Sequence, residues 1–290
     1  MTPKQPPAPD RATLREIYAL NARLGLPRFL RGVDYVRCVE LPLVFEALAL
    51  APGMRVLDVG CRDSIFPLYL AKKTGARVCV FDLDVTVAKQ RRLAAKLGLT
   101  FGRGYHAVRG DVRSTPFATG TFDRVSLVST IEHVPGEGDS AGVAELARVL
   151  KPGGRLVLTV PFGDSPRDFF MSEKVYSQEY AGKPVFFQRH YNEETLEHRL
   201  IGPSGLRVAG RSYFGEPRVA FFNTFWVLPG WLKPVKVFYN WLGPVFSRWF
   251  MGVFDDSSTL KLRHPPMVNA NGAFLVLEKP GSTNGPAPRA

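Results

Sequence analysis

The sequence predicts an α/β protein built on a mostly parallel, doubly wound sheet. Three observations predict it. Short apolar runs begin near residues 55, 77, 106, 122 and 155, and helical patterns separate them. The first run, Val56–Val59, is broken at Gly60 and leads straight into a helix signal, the strand–turn–helix order of a βα unit. The second and third runs end in carboxylates, Asp82 and Asp111. In such sheets a ligand binds beyond the carboxyl ends of the strands, where these acids stand.

Composition sets outer bounds. The chain has 290 residues, 45% of them hydrophobic, enough for one sizeable core with elaborations. Its net charge of +12 suits nucleic acid, anionic lipid or an acidic substrate and does not choose among them. The three cysteines, Cys38, Cys61 and Cys79, match neither a zinc spacing nor a disulfide framework, which points to a reducing, cytoplasmic setting and no metal. The opening MTPKQPPAPD is polar and proline-rich, not a signal peptide, and no run reaches the ~20 apolar residues of a membrane span. Residues 1–10 and 280–290 read as disordered tails, 11–50 as a helical cap and 51–279 as the main domain.

Thr13 to Glu16 spells a capping box and opens a helix that Gly25 and Pro27 end. A second helical stretch runs from Asp34 to Leu50, bent or divided at Pro42. These helices either cover one end of the sheet or form a lid over a ligand. After Gly60, Ser64 suits a cap and Pro67 suits a first helical turn. The turn is expected to keep negative φ at Arg62 and Ser64, with Asp63 or Ser64 capping. Arg77–Phe81 is the second strand, and Asp84 caps the helix Val85–Leu97. A carboxylate at Asp82 could accept hydrogen bonds from both hydroxyls of a ribose. His106–Gly110 is the third strand, Phe122–Val128 the fourth and Arg155–Val160 the fifth. Between the last two lie a helix from Ser140 to Leu150 and a tight turn at Lys151–Gly154. The chain then reads as irregular to Gly182. Asn192 caps a helix through Leu200, and residues 207–214 and 272–279 supply the sixth and seventh strands.

Two stretches carry a family resemblance. RVLDVGCRDSIFPLYLA, from Arg55 to Ala71, resembles the first motif of the class I S-adenosylmethionine-dependent methyltransferases, acid-x-Gly-x-Gly-x-Gly. Asp58 and Gly60 match its acid and first glycine, while Arg62 and Ser64 replace the second and third. FDRVSLVSTIEHV through LARVLKPGGRLVLTVP is similar to the fourth strand, helix and fifth strand of the small-molecule members. The resemblance covers residues 55–161. It implies a seven-stranded sheet with an antiparallel last pair, S-adenosylmethionine as cofactor, and a cofactor site at Asp58, Gly60, Cys61, Asp82, Leu83, Asp111, Val112 and Ser129. Asp111 would accept from the adenine amino group and the Val112 amide would donate to a ring nitrogen. His133 and His190 become candidate general bases, because histidine titrates near neutrality and both positions face the ligand crevice of the resembled fold. Arg189 and Tyr191 become candidate acceptor-binding residues.

The reading is methyl transfer to a small-molecule or lipid-linked acceptor, at oxygen. The alternatives are a non-catalytic or weakly cofactor-binding member, prompted by the missing glycines, and a nucleic-acid methyltransferase, suggested by charge alone. One stretch falls outside the motifs. An aromatic, basic insertion at 217–265 separates the last two strands, and its part 217–254 holds all four tryptophans and seven of the 21 phenylalanines. No acid stands between Glu216 and Asp255. That composition suits an anionic membrane interface, with peripheral attachment at the inner membrane face; a flap or homodimer contact uses the same residues.

Overall fold

The computed structural model describes residues 11–176, 181–217, 240–260 and 270–281. The chain runs α1 (Arg11–Arg23), α2 (Leu26–Arg31), α3 (Arg37–Leu48), β1 (Arg55–Val59), α4 (Phe66–Thr74), β2 (Arg77–Asp82), α5 (Lys89–Lys96), β3 (Tyr105–Arg109), β4 (Phe122–Val128), α6 (Gly138–Val149) and β5 (Leu150–Pro161). After these come β6 (Arg167–Met171), β7 (Val185–His190), β8 (Arg207–Gly215), β9 (Gly252–Phe254) and β10 (Gly272–Glu278). The main sheet has eight strands in the order β3-β2-β1-β4-β5-β10-β8-β9. The five strands from β3 to β5 are parallel, while β10 is antiparallel to both β5 and β8. The order reverses between β1 and β4, so a crevice opens at their carboxyl ends.

Side-chain alternation sends β1 and β2 to two cores. Val56, Val78 and Val80 pack with α1, α3 and α4, and Leu57, Val59, Cys79 and Phe81 pack with α6 on the other face. Apolar runs without polar breaks suit strands covered on both sides. The last carbonyls of α3 are satisfied by the sheet itself: Arg155 donates to Ala47 at 2.6 Å and Arg124 to Leu48 at 2.7 Å. Those bonds fix the N-terminal helices over β4 and β5.

Several expectations are corrected. The first helix opens ahead of Thr13: α1 is already helical at Arg11, and Thr13 is buried inside it. Pro27 does not end the first helix but sits in the opening turn of α2, after Gly25 at φ 114. Pro42 stays within an unbroken α3. Asp84 caps as expected, but onto a 3-10 turn, Val85–Ala88, ahead of α5. Lys151–Gly154 belongs to β5, because the Gly153 amide and Gly154 carbonyl bond to Lys279 like strand residues. The stretch after Pro161 is not irregular throughout: β6 and β7 form a separate antiparallel hairpin. The eighth strand is β9, three residues paired with Tyr213–Gly215 at the sheet edge. The expected tails and residues 218–239 and 261–265 of the insertion, with Trp226 and Trp231, lie outside the described residues, apart from Pro280 and Gly281 at the start of the C-terminal tail.

Candidate active site

Two adjoining cavities open at the carboxyl ends of β1, β2 and β4. The first, about 380 Å³, is lined by Asp58, Gly60, Cys61, Asp63 and Ser64 of the first turn, by Arg28 and Arg31 of α2 and by Arg37 of α3. The second, about 420 Å³, is lined by Asp82, Leu83, Asp111, Val112, Ser129, His133 and Tyr176. Arg37, Val59, Gly60 and Arg62 line both, so the two spaces share a wall at the turn after β1.

That turn overturns the expected geometry. Arg62 has φ 48, the left-handed conformation that glycine usually supplies. Its amide donates to Asp82 Oδ2 at 2.7 Å, and the Asp84 amide donates to the other oxygen at 2.8 Å. The carboxylate at the end of β2 therefore holds the turn in place of a glycine. Ser64 fits its expected part better, accepting from the Phe66 amide at 3.2 Å ahead of α4. Gly60 cannot be replaced: its φ is 77, and a Cβ there would lie 2.0 Å from Thr130. The Arg62 side chain reaches over the second cavity, with Nε 3.4 Å from Asp84 and its guanidinium 5.7 Å from the Tyr176 ring centroid. Arg62, Ser129 and Tyr176 all have positive φ and all line this cavity. Such strain concentrates at functional sites.

The acids are tuned by burial. Burial pushes Asp58 up to about 7 against a hydrogen bond from Ser126, its register neighbour on β4. Burial also raises Asp82, against the two amide bonds. Asp111 goes the other way, held down by its side-chain hydrogen bonds with Arg113. At the end of β4, Ser129 donates to Glu40 Oε1 at 2.7 Å, and Glu40 pairs with Arg37. Glu132 is fully buried beside them; burial lifts it to about 8, and its Oε2 has no partner among the described residues.

His133 sits where a base is useful. Its Nδ1 lies 2.5 Å from the Phe187 carbonyl, which fixes the proton on Nδ1 and leaves Nε2 as an acceptor. The Tyr176 hydroxyl donates to Nε2 at 3.2 Å, with its ring 4.8 Å from the imidazole. Burial lowers His133 to about 4, so the ring is neutral at neutral pH.

The other three candidates are not brought here. His190 lies on β7, buried against the Phe169 ring at 4.5 Å and bonded to Gln188, and it lines neither cavity. Arg189 is taken by Asp139 at 2.8 Å and Asp168 at 2.7 Å. Tyr191 donates to the same Asp139 at 2.9 Å. Arg189 and Tyr191 clamp the β6–β7 hairpin to α6 through Asp139. Arg37, Glu40 and Tyr176 escaped the sequence reading. A charged pair three residues apart in the apolar helix 37–48 was the available signal for the first two. Tyr176 carries none.

The site's chemistry fits S-adenosylmethionine. Two of the carboxylate positions of Asp82 are used by amides, and a carboxylate accepts about four hydrogen bonds, so capacity for a ribose diol remains. Leu83 and Val112 give the same cavity apolar walls for a base. The comparisons agree. The family profile described as a methyltransferase domain matches residues 57–158. A ubiquinone biosynthesis O-methyltransferase from Xanthomonas euvesicatoria is 35% identical over 173 residues, covering 59% of this chain and 68% of that protein. A demethylmenaquinone methyltransferase from a Parafrankia species is 40% identical over 126 residues, covering 39% and 48%. A probable tocopherol O-methyltransferase from rice is 35% identical over 127 residues, covering 42% and 34%. The chain thus spans less than half the length of several curated relatives it matches. Among solved structures, geranyl diphosphate methyltransferase in complex with S-adenosylmethionine superposes with a TM-score of 0.51 at 13% identity, covering 83% of this chain and 84% of that one. The [4+2]-cyclase SpnF gives 0.51 at 19%, covering 83% and 81%. At such identities the likeness is one of fold alone. The chain belongs to the class I S-adenosylmethionine-dependent methyltransferases. Its cofactor is S-adenosylmethionine.

Proposed function

We propose that the protein transfers a methyl group to a hydroxyl of a small-molecule or lipid-linked acceptor. The observation that carries this reading is the orientation of His133: neutral, with Nε2 as the acceptor and a hydroxyl, that of Tyr176, already donating to it. An acceptor hydroxyl in that place would give its proton to Nε2 as its oxygen takes the methyl group. When bound, the cofactor supplies a methyl group activated by a sulfonium. Asp82 would hold the ribose hydroxyls, Asp111 and the Val112 amide the adenine edge, and the Gly60–Cys61 backbone with Asp58 the amino-acid end. Leu83 and Ser129 close the cavity walls. Glu40 orients Ser129, and Arg37 keeps the buried Glu40 paired. Against the non-catalytic reading, Arg62 takes up the left-handed conformation that one of the two missing glycines would have given. Support for a lipid-linked or quinone-like acceptor comes from the names of the relatives. The test is incubation with methyl-labelled cofactor and a panel of phenolic and prenylated acceptors. Label in an ether product, lost in His133→Ala, supports the reading; label on carbon, or an undiminished rate in the variant, refutes it.

A further inference from the structure

The outer rim of the first cavity carries an apolar face that the site does not use. On α2, Leu26 and Leu30 stand one turn apart and both point into solvent, Leu26 with 66% of its surface exposed. On the helix Gly243–Phe250 and the turn before it, Trp241, Val245 and Trp249 recur every four residues and are exposed, Trp249 by 69%. The two stripes meet: the Phe29 ring packs edge-on against Trp241 with centroids 6.3 Å apart. The contact is built into the backbone. The Tyr18 hydroxyl donates to the Asn240 carbonyl at 2.9 Å, and a Cβ on Gly32 would lie 2.6 Å from that oxygen. Arg28 and Arg31, between and beyond the exposed leucines, line the cavity with Asn240.

We propose that this two-helix face docks the protein on an anionic lipid surface, with the first cavity at its edge. Neither helix carries an acid, and the exposed Arg31 and Arg248 flank the stripes. Along α1 and α2, five arginines stand against one acid, Glu16, which is already bonded to Lys73 and Tyr69; Arg28 and Arg31 share Asp63, at 2.9 and 3.3 Å, which leaves that pair one net positive charge. Six- and eight-residue helices are too short to cross a bilayer, but they suit one that they lie on. Tryptophan favours that depth, with an apolar ring and a wet N–H. Charge argues against a second copy as the occupant. A twofold interface presents the same patch from both sides, so arginines would oppose arginines. Anionic headgroups meet them with the opposite sign. The docking stands on this surface alone; only its use, bringing a lipid-linked acceptor to the cavity, rests on the proposed methyl transfer.

The test is co-sedimentation of the full chain with vesicles of phosphatidylcholine and phosphatidylglycerol in equal parts, against vesicles of phosphatidylcholine alone. The protein should prefer the anionic vesicles, and added salt should weaken binding only in part, since inserted rings are not screened. Leu30→Ser with Trp249→Ser should lower the partition about tenfold. Arg248→Glu should lower it several-fold on anionic vesicles only. Calorimetric affinity for S-adenosylmethionine should stay unchanged in both. No vesicle binding, equal binding by the double variant, or a concentration-dependent dimer that the double substitution dissociates would each overturn the proposal. Failure of the wild type to bind the cofactor would sink the methyl-transfer reading and leave the docking result standing.

Discussion

At the scale of single residues, the site turns on side chains whose charge state burial decides. His133 is held near 4 by burial, so it is already neutral in the ordinary working range. A rate that depends on it should be flat above about pH 5 and should not climb through the usual histidine value near 6.5. His133→Ala should lower turnover about 10²- to 10⁴-fold, read from initial rates under saturating cofactor. Glu132 runs the other way. Its folded value of about 8 lies above the ordinary carboxyl value, so the fold favours the protonated form. The stability this gives is full below about pH 4.5 and is lost as pH rises through about 8. Glu132→Gln should remove that loss. Melting temperatures of variant and wild type should therefore diverge in the variant's favour between about pH 6 and pH 9. A constant gap would show that Glu132 is ionised in the fold. Neither environment was legible in the sequence, where Glu132 and His133 were neighbours at a strand end. Arg62 was misread for a related reason. Nothing in an arginine announces positive φ; the conformation is imposed by the carboxylate of Asp82, twenty residues on.

At the scale of elements, legibility followed the strength of the local signal. The strands β1, β2, β4 and β10 were read within a residue of their bounds, because each is an apolar run closed by a turn or an acid. The hairpin β6–β7 was not. Its strands, RDFFM and VFFQRH, hold only short apolar runs among charges and pair mainly with each other, outside the main sheet. Charges there gave a false lead, since arginine and histidine near a ligand crevice resemble binding residues in sequence. In the structure Asp139, with no exposed side chain, gathers Arg189, Arg199 and Tyr191. Burial pushes Asp139 up, but the hydrogen bonds from Arg199 and Tyr191 outweigh it and hold the carboxyl below its usual range. Asp139→Ala would take a shared carboxylate from two arginines, which keep Asp168 and Glu137 as partners, and should cost about 1.5–3 kcal/mol, measured by denaturant unfolding. Cofactor affinity of the folded fraction should not change, because the cluster lines neither cavity. A large loss of affinity with full stability would return these residues to the binding site.

At the scale of the molecule, strand order decides where chemistry happens. The reversal between β1 and β4 leaves open carboxyl ends, and the acids that end β2 and follow β3 fall into one cavity beside Gly60. That much the spacing of the runs foretold, since parallel strands joined by helices bring their ends to one edge. What it could not foretell is the roof: α3, the Arg62 side chain and Tyr176 arrive from three separate segments, and no local pattern links them. The cofactor's place at those strand ends is what the whole site depends on. The direct measurement is calorimetric titration of S-adenosylmethionine into the wild type and into Asp82→Ala, with folding of the variant checked by circular dichroism. The account predicts one site per chain in the wild type and an affinity weaker by about 1.5–3 kcal/mol in the variant, the range for hydrogen bonds to a charged group. Equal affinity in a folded Asp82→Ala would contradict it.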